Sequence, residues 1–315
     1  MNVLIIDKFS DFLLKELKTL PLSTTYLPEI TPEQVYARIA DYEILVLNSK
    51  VRVDRKLVEL APKLKLAIRG GVGMDHFEMD YLAQKGILAK NTAGANAVAV
   101  AEQTLGMLLA LRHNLIRGND AVKQFQWPRE INRGREVKGK AVGIIGFGHT
   151  GSAVAQRLQG FECGILAYDK YKSGFGNAWV KEVQMEEIFE RADILSLHVP
   201  LTEETHYLVN EDFVKSFKKQ IVLLNLARGS VVKLEALIAG LDSKSILGAA
   251  LDVLENEKMD MLTERQEALY LNLFQRDNVI LTPHIGGWSL ASRQNISEGI
   301  LQHIRDLLEK EDVRS

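Results

Sequence analysis

Cysteine is nearly missing from this chain: Cys163 is the single one in 315 residues. One thiol excludes an intramolecular disulfide framework and a cysteine-based zinc site. An excess of either charge is missing too. The 39 basic and 41 acidic residues leave a formal net charge of −2, which argues against a broad basic face for nucleic acid and against a polybasic membrane anchor. Eighteen apolar residues never run together. Even the stretch from Ala93 to Leu111 is broken by Glu102 and Gln103, so no transmembrane helix is expected. The opening MNVLIIDKFS has four consecutive apolar residues before Asp7 and no basic segment, so no signal peptide is read and a cytoplasmic location is expected. Internal repeats and low-complexity tracts are absent as well. What is there is the balance of a globular protein, 46% hydrophobic and 25% charged, too apolar and too neutral for disorder. The length predicts two domains.

Short aliphatic runs alternate with longer helical patterns. Candidate strands lie at 3–6, 43–48, 64–68 and 87–89, then at 141–146, 164–168, 193–199, 221–226, 246–253 and 278–283. Near-continuous apolar strands separated by helices signal parallel sheets covered on both faces, an α/β protein. Residues 96–125, rich in Ala and Leu without an internal proline, predict a long helix. The polar stretch 126–140 follows, broken by Pro128, Gly134 and Gly139. A domain boundary is expected near residue 96, and a last helix over 289–311 could pack on either half.

Gly146, Gly148 and Gly151 have G-x-G-x-x-G spacing, directly after an apolar strand and at the opening of a helical pattern. The first glycine suits a tight turn, the second a close backbone approach to pyrophosphate, the third close helix–strand packing. Helix N-terminal amides would hold the negative charge. The next strand ends at Asp169, 18 residues beyond Gly151. A carboxylate there accepts from ribose hydroxyls and repels a 2′-phosphate, favouring NAD over NADP. Lys170 and Lys172 are basic neighbours that could tolerate the phosphate.

Three further residues stand at ends of predicted strands. Arg228 follows IVLLNLA, Glu257 lies just past GAALDV, and His284 follows VILTP. Ligands of open parallel sheets sit at the carboxyl ends of strands. Hydride transfer to or from a carbonyl carbon must be matched by proton transfer at oxygen, for which histidine is the natural acid–base. A carboxylate beside the imidazole stabilises its protonated form, and a guanidinium binds a substrate carboxylate and polarises the carbonyl.

These residues, with RGGVGMDHFEMD at 69–80, AVAEQTLGMLLALRH at 99–113, SLHVPLTEETHYLVN at 196–210 and TPHIGG at 282–287, resemble the D-isomer-specific 2-hydroxyacid dehydrogenase family over nearly the whole chain. The resemblance implies two parallel-sheet lobes, Rossmann- and flavodoxin-like, with the NAD-binding lobe (96–285) inserted into the catalytic lobe (1–95 with 286–315) and the active site in the cleft. It implies a substrate-carboxylate role for Arg228, acid–base catalysis by His284, and Glu257 as its partner. Arg69, Gly71, Val72 and Gly73 match the substrate loop, whose Val72 and Gly73 amides would meet the carboxylate. The turn Gly146, Phe147, Gly148, His149, Thr150 and Gly151, with Asp169, His198, Val199, Pro200, Thr205, Ala227 and Asp252, matches the cofactor side. NAD(H) without a metal, a small-molecule substrate and a homodimer formed through the helix after Asn96 are implied, with no nucleic-acid or membrane partner.

Two departures lie close to the implied cleft: Lys258 stands where proline is usual, and Trp288 where smaller residues are commoner. Among family members the resemblance is nearest to D-3-phosphoglycerate dehydrogenases, which act in serine biosynthesis. A phosphorylated substrate needs cations beyond Arg228, and Arg69, Lys50 and Arg52 are the candidates, although Asn48 stands near where an arginine is often found. Glyoxylate or hydroxypyruvate reduction, a D-lactate-type activity and an NAD-sensing corepressor role are the alternatives. At 315 residues, a C-terminal regulatory domain is not expected.

Overall fold

The computed structural model describes residues 1–312. The chain forms two compact units, one from Met1–Asn96 together with the segment that starts at Trp288, the other from Ala97–Gly287.

In the first unit, β1 (Asn2–Ile5), β2 (Ser23–Tyr26), β3 (Ile44–Leu47), β4 (Leu66–Arg69) and β5 (Leu88–Asn91) form a parallel sheet of order β2-β1-β3-β4-β5. Side chains alternate faces along a strand. Val3 and Ile5 therefore enter one core while Leu4 and Ile6 enter the other, and all four are fully buried. The terminal helix Leu290–Asp312 belongs to this unit. Its Ile300, Ile304 and Leu307, at spacings of one and two turns, pack on Val3, Ile5 and Leu13. Burying each such side chain contributes roughly 1.5–3 kcal/mol, so this helix is held against β1 and the helix that follows it.

The second unit has seven parallel strands: β6 (Ala141–Ile145), β7 (Gly164–Tyr168), β8 (Val180–Glu182), β9 (Ile194–Leu197), β10 (Ile221–Asn225), β11 (Ile246–Leu251) and β12 (Val279–Leu281). Their order is β12-β11-β10-β9-β6-β7-β8. The chain builds outward from β6 to β8, then returns to the other side of β6 as β9. That reversal leaves a crevice at the carboxyl ends of β6 and β9, where open α/β sheets bind ligands. Helices Ala97–Arg112 and His149–Leu158 cover one face through Met107, Val154 and Leu158. Helices Leu234–Asp242 and Glu264–Phe274 cover the other through Leu237, Tyr270 and Leu273.

Two strands lie outside the sequence expectation. β2 and β8 each stand at one edge of their sheet, and neither STTY nor VKE is an apolar run, since both carry side chains out into solvent. The helix expected over 96–125 is two helices, Ala97–Arg112 and Leu115–Lys123. Asn114 separates them in the left-handed region at φ 51°, which asparagine tolerates better than most residues. The Arg112 guanidinium pins the break, donating to the carbonyls of Arg135 (3.0 Å) and Glu136 (2.6 Å).

Candidate active site

β10, β11 and β12 are neighbours in register, with Asn225 beside Leu251 and Leu251 beside Leu281. Their carboxyl ends therefore lie side by side, and Arg228, Glu257 and His284 follow three, six and three residues beyond those positions. The structure brings two of the three into contact. His284 Nδ1 is 2.9 Å from Glu257 Oε2, with both side chains about half exposed. Arg228 Nη1 donates to the carbonyl of Ala227 at 2.7 Å.

His284 occupies the left-handed region at φ 56°, a strained conformation for a non-glycine residue that persists only where the surroundings impose it. Asp252 imposes it. Its backbone carbonyl accepts the His284 N–H at 2.8 Å. Its carboxylate accepts from Thr282 Oγ1 (2.5 Å), the Ile285 N–H (2.9 Å) and the Gly286 N–H (2.7 Å). Asp252 is 2% exposed. Expected among cofactor contacts, it lies beneath the histidine loop with its carboxylate bonded to that loop.

Sequence reading missed two supports of this site. Asn225 is 1% exposed; its amide donates to the Arg228 carbonyl at 3.0 Å and accepts the Ala227 N–H at 3.1 Å. Its one signal was a polar residue closing the apolar run IVLLN. Tyr270 is also 1% exposed. Its hydroxyl donates to the Asn256 carbonyl (3.0 Å) and accepts the Asn256 N–H (2.9 Å), fixing the residue before Glu257. The Arg228 and Glu257 loops meet at Gly229, where a Cβ would stand 1.8 Å from the Leu254 carbonyl oxygen; only glycine permits that approach.

The dinucleotide turn lies at the same edge of this sheet. Gly146 turns the chain at φ 91°, and a Cβ on it would stand 2.4 Å from the His198 carbonyl oxygen. Gly151 packs as closely, with the Gly146 carbonyl oxygen 2.0 Å from its Cβ position. At Gly148 the same construction meets nothing within 4 Å. The N-terminus of helix His149–Leu158, which includes Thr150, thus opens onto clear space with N–H groups that have no intrahelical partner. Phe147 stacks on Phe175 with ring centroids 4.5 Å apart.

Asp169 ends the strand after this turn and anchors it. Its carboxylate accepts the N–H groups of Phe147 (2.7 Å), Tyr171 (2.9 Å) and Lys172 (3.1 Å), leaving room for a hydroxyl among its roughly four acceptor sites. Across from it, Thr205 Oγ1 donates to the Pro200 carbonyl at 2.6 Å and shapes the segment that begins at His198 and Val199. His198 Nε2 meets Ser196 Oγ at 2.8 Å, while its Nδ1 is buried without a partner among the described residues. Burial pushes this imidazole down to about 4, so it is neutral at physiological pH. An open helix terminus, a glycine-only turn and an anchored carboxylate fit a dinucleotide. No cluster of three or more His, Cys, Asp or Glu side chains is placed to hold a metal among the described residues.

In the first unit, Arg69 ends β4 and leads into Gly71, Val72 and Gly73. Two residues at the carboxyl end of β5, the neighbour of β4, shape this loop. Thr92 donates its N–H to the Gly71 carbonyl at 3.0 Å, and the Asn91 amide donates to the Val72 carbonyl at 2.5 Å. A trans peptide directs its N–H opposite to its C=O. The Val72 and Gly73 N–H groups therefore point away from Thr92 and Asn91. The Arg69 side chain lies against Gly71, with Nε 3.4 Å from the Cβ position there, and its Nε and Nη1 are shielded from solvent.

Comparison with known proteins decides the family. The D-isomer specific 2-hydroxyacid dehydrogenase NAD-binding domain matches residues 105–286. The chain belongs to this family. A hydroxypyruvate reductase of Thermotoga maritima is 31% identical over 299 residues, covering 95% of this chain and 94% of that protein. A D-3-phosphoglycerate dehydrogenase of Methanocaldococcus jannaschii is 33% identical over 90% of this chain, which spans 53% of that protein. In three dimensions, a D-lactate dehydrogenase of Aquifex aeolicus, solved with NAD and lactic acid, superposes with a TM-score of 0.86 at 30% identity, covering 98% of this chain and 96% of that one. This 2-hydroxyacid dehydrogenase is thus an NAD-dependent oxidoreductase with two parallel α/β sheets. No helix among the described residues is long and apolar enough to cross a membrane.

Proposed function

We propose that this dehydrogenase interconverts a small, unphosphorylated D-2-hydroxy acid and its 2-keto acid, with glyoxylate or hydroxypyruvate as the keto acid. The observation that carries the reading is the 2.9 Å contact between His284 and Glu257 beside the Arg228 loop. In the reducing direction Arg228 pairs with the substrate carboxylate and polarises the carbonyl. His284 donates its proton to the carbonyl oxygen while Glu257 orients the ring and stabilises its charged form. The turn 146–151 and Asp169, with Val199, Pro200 and Ala227 as further candidates, would hold a nicotinamide dinucleotide, which would supply the hydride. We assign the Val72 and Gly73 N–H groups an anion-binding role; the orientation of their peptides supports it.

The sequence ranks D-3-phosphoglycerate first. The packing of the expected phosphate-side cations favours an unphosphorylated substrate instead. Arg69 keeps two guanidinium nitrogens out of solvent, and the Lys50 amine is bonded to the Pro28 carbonyl. The likeness to the Methanocaldococcus enzyme supports phosphoglycerate as the second reading. A kinetic panel decides between them. We expect kcat/KM with NADH to be at least tenfold higher for glyoxylate or hydroxypyruvate than for 3-phosphohydroxypyruvate, about 1.4 kcal/mol in transition-state binding. The reverse order, with Arg69→Ala harming only the phosphorylated substrate, would establish the second reading. Binding of NADH with negligible turnover of every keto acid would favour a corepressor-like role.

A further inference from the structure

Two lysines follow Asp169, and an adenosine 2′-phosphate would need one of them. Both are engaged. Lys172 Nζ donates to the Phe147 carbonyl at 3.3 Å. Lys170 Nζ lies 2.6 Å from Glu204 Oε1, and the Tyr171 hydroxyl donates to Glu204 Oε2, also at 2.6 Å. Glu204 comes from the segment after β9, 34 residues away in sequence from Lys170. It bridges the two loops that meet beside Asp169.

We propose that Glu204 is a second cofactor-specificity residue: it occupies Lys170 and adds a carboxylate beside Asp169, so that a 2′-phosphate meets two negative charges and a cation already paired. The proposal rests on the reading of the turn and Asp169 as the dinucleotide site. Its logic is that selectivity comes as much from what opposes the wrong ligand as from what welcomes the right one. The bonds to Lys170 and then to Tyr171 hold the Glu204 carboxyl below its ordinary range, and the bond to Glu204 raises Lys170. Both partners therefore stay charged at neutral pH. Their side chains are 55% and 51% exposed, and a pair that open to water contributes little to folding. Its effect is accordingly to be sought in ligand choice.

Calorimetric titration of the full chain with NADH and with NADPH tests this, alongside kcat/KM for each. Glu204→Gln removes one charge and releases Lys170; NADPH is expected to bind on the order of tenfold tighter, with NADH changed by less than about twofold. Lys170→Ala alone does not raise NADPH affinity, because it removes a cation and leaves the Glu204 carboxylate unpaired. The double variant binds NADPH less tightly than Glu204→Gln and keeps only the part of the gain that comes from the lost carboxylate. An unchanged NADPH affinity in Glu204→Gln, or a double variant that keeps the whole of the gain, overturns the proposal. Wild-type protein that binds neither dinucleotide overturns the cofactor reading beneath it, a result distinct from the other two.

Discussion

His284 sits in a backbone conformation that an unconstrained histidine avoids, and the constraint is local and identifiable. Asp252 holds the loop from below through one carbonyl and two carboxylate oxygens, and Glu257 holds the ring from the side. Loop and ring are thus fixed separately, so changing the side chain should remove chemistry without removing the fold. We expect His284→Ala to lower kcat by at least about a thousandfold, roughly 4 kcal/mol of barrier, with Kd for NADH changed by less than about threefold. Stopped-flow turnover and fluorescence titration check both; a parallel loss of NADH binding would mark the histidine as structural. The residue types at this site were readable in the sequence because each follows shortly after an apolar run. Tyr270 and Asn91 were not, since their roles consist of bonds to backbone distant in the chain or fold.

At the scale of elements, the carboxyl edge of the seven-stranded sheet gathers the dinucleotide turn and the catalytic loops because β6, β9, β10, β11 and β12 all run the same way. β9 carries a cost at its end. His198 stands there half-buried with its Nδ1 shut off from solvent, and the lost hydration pushes its imidazole from 6.5 down to about 4. Below pH 6.5 the unfolded chain takes up a proton that the folded chain refuses, so stability falls as pH drops from about 6.5 to about 4. The loss is on the order of 3 kcal/mol across that window. Urea denaturation between pH 7 and pH 4.5 should show this decline in the wild type and a shallower one in His198→Gln. Identical slopes would mean that the ring is solvated in both states. The edge strands β2 and β8 are legible only by pairing: their sequences are half exposed, and backbone hydrogen bonding to a neighbour makes them strands.

At the scale of the whole molecule, the helix pair after Asn96 and the segment beyond it leave large apolar side chains in water. Phe125 is fully exposed, Trp127 is 76% exposed and Leu115 is 56% exposed. Covering side chains this large and this exposed removes apolar area from water, and a second copy of the chain is the partner that the resemblance implies. We propose a homodimer through this region. Light scattering on a sizing column should give twice the chain mass for the wild type. Phe125→Glu with Trp127→Glu should shift it toward the monomer; a wild-type monomer at micromolar concentration would refute the assignment.

The sequence by itself determined the chemistry available: a glycine turn after an apolar strand, an acid at the next strand's end, and Arg228, Glu257 and His284 closing three later strands. It could do so because strand periodicity and glycine spacing are local, and a parallel sheet puts carboxyl ends on one edge whatever the loops do. Only the tertiary structure decided which charges remain available. Arg69 turns under its own glycine loop, Lys170 is captured by Glu204, and Asp252 is drawn beneath the histidine. Each outcome depends on atoms brought together from distant positions or from a loop's final shape, and a short-range pattern carries no information about either.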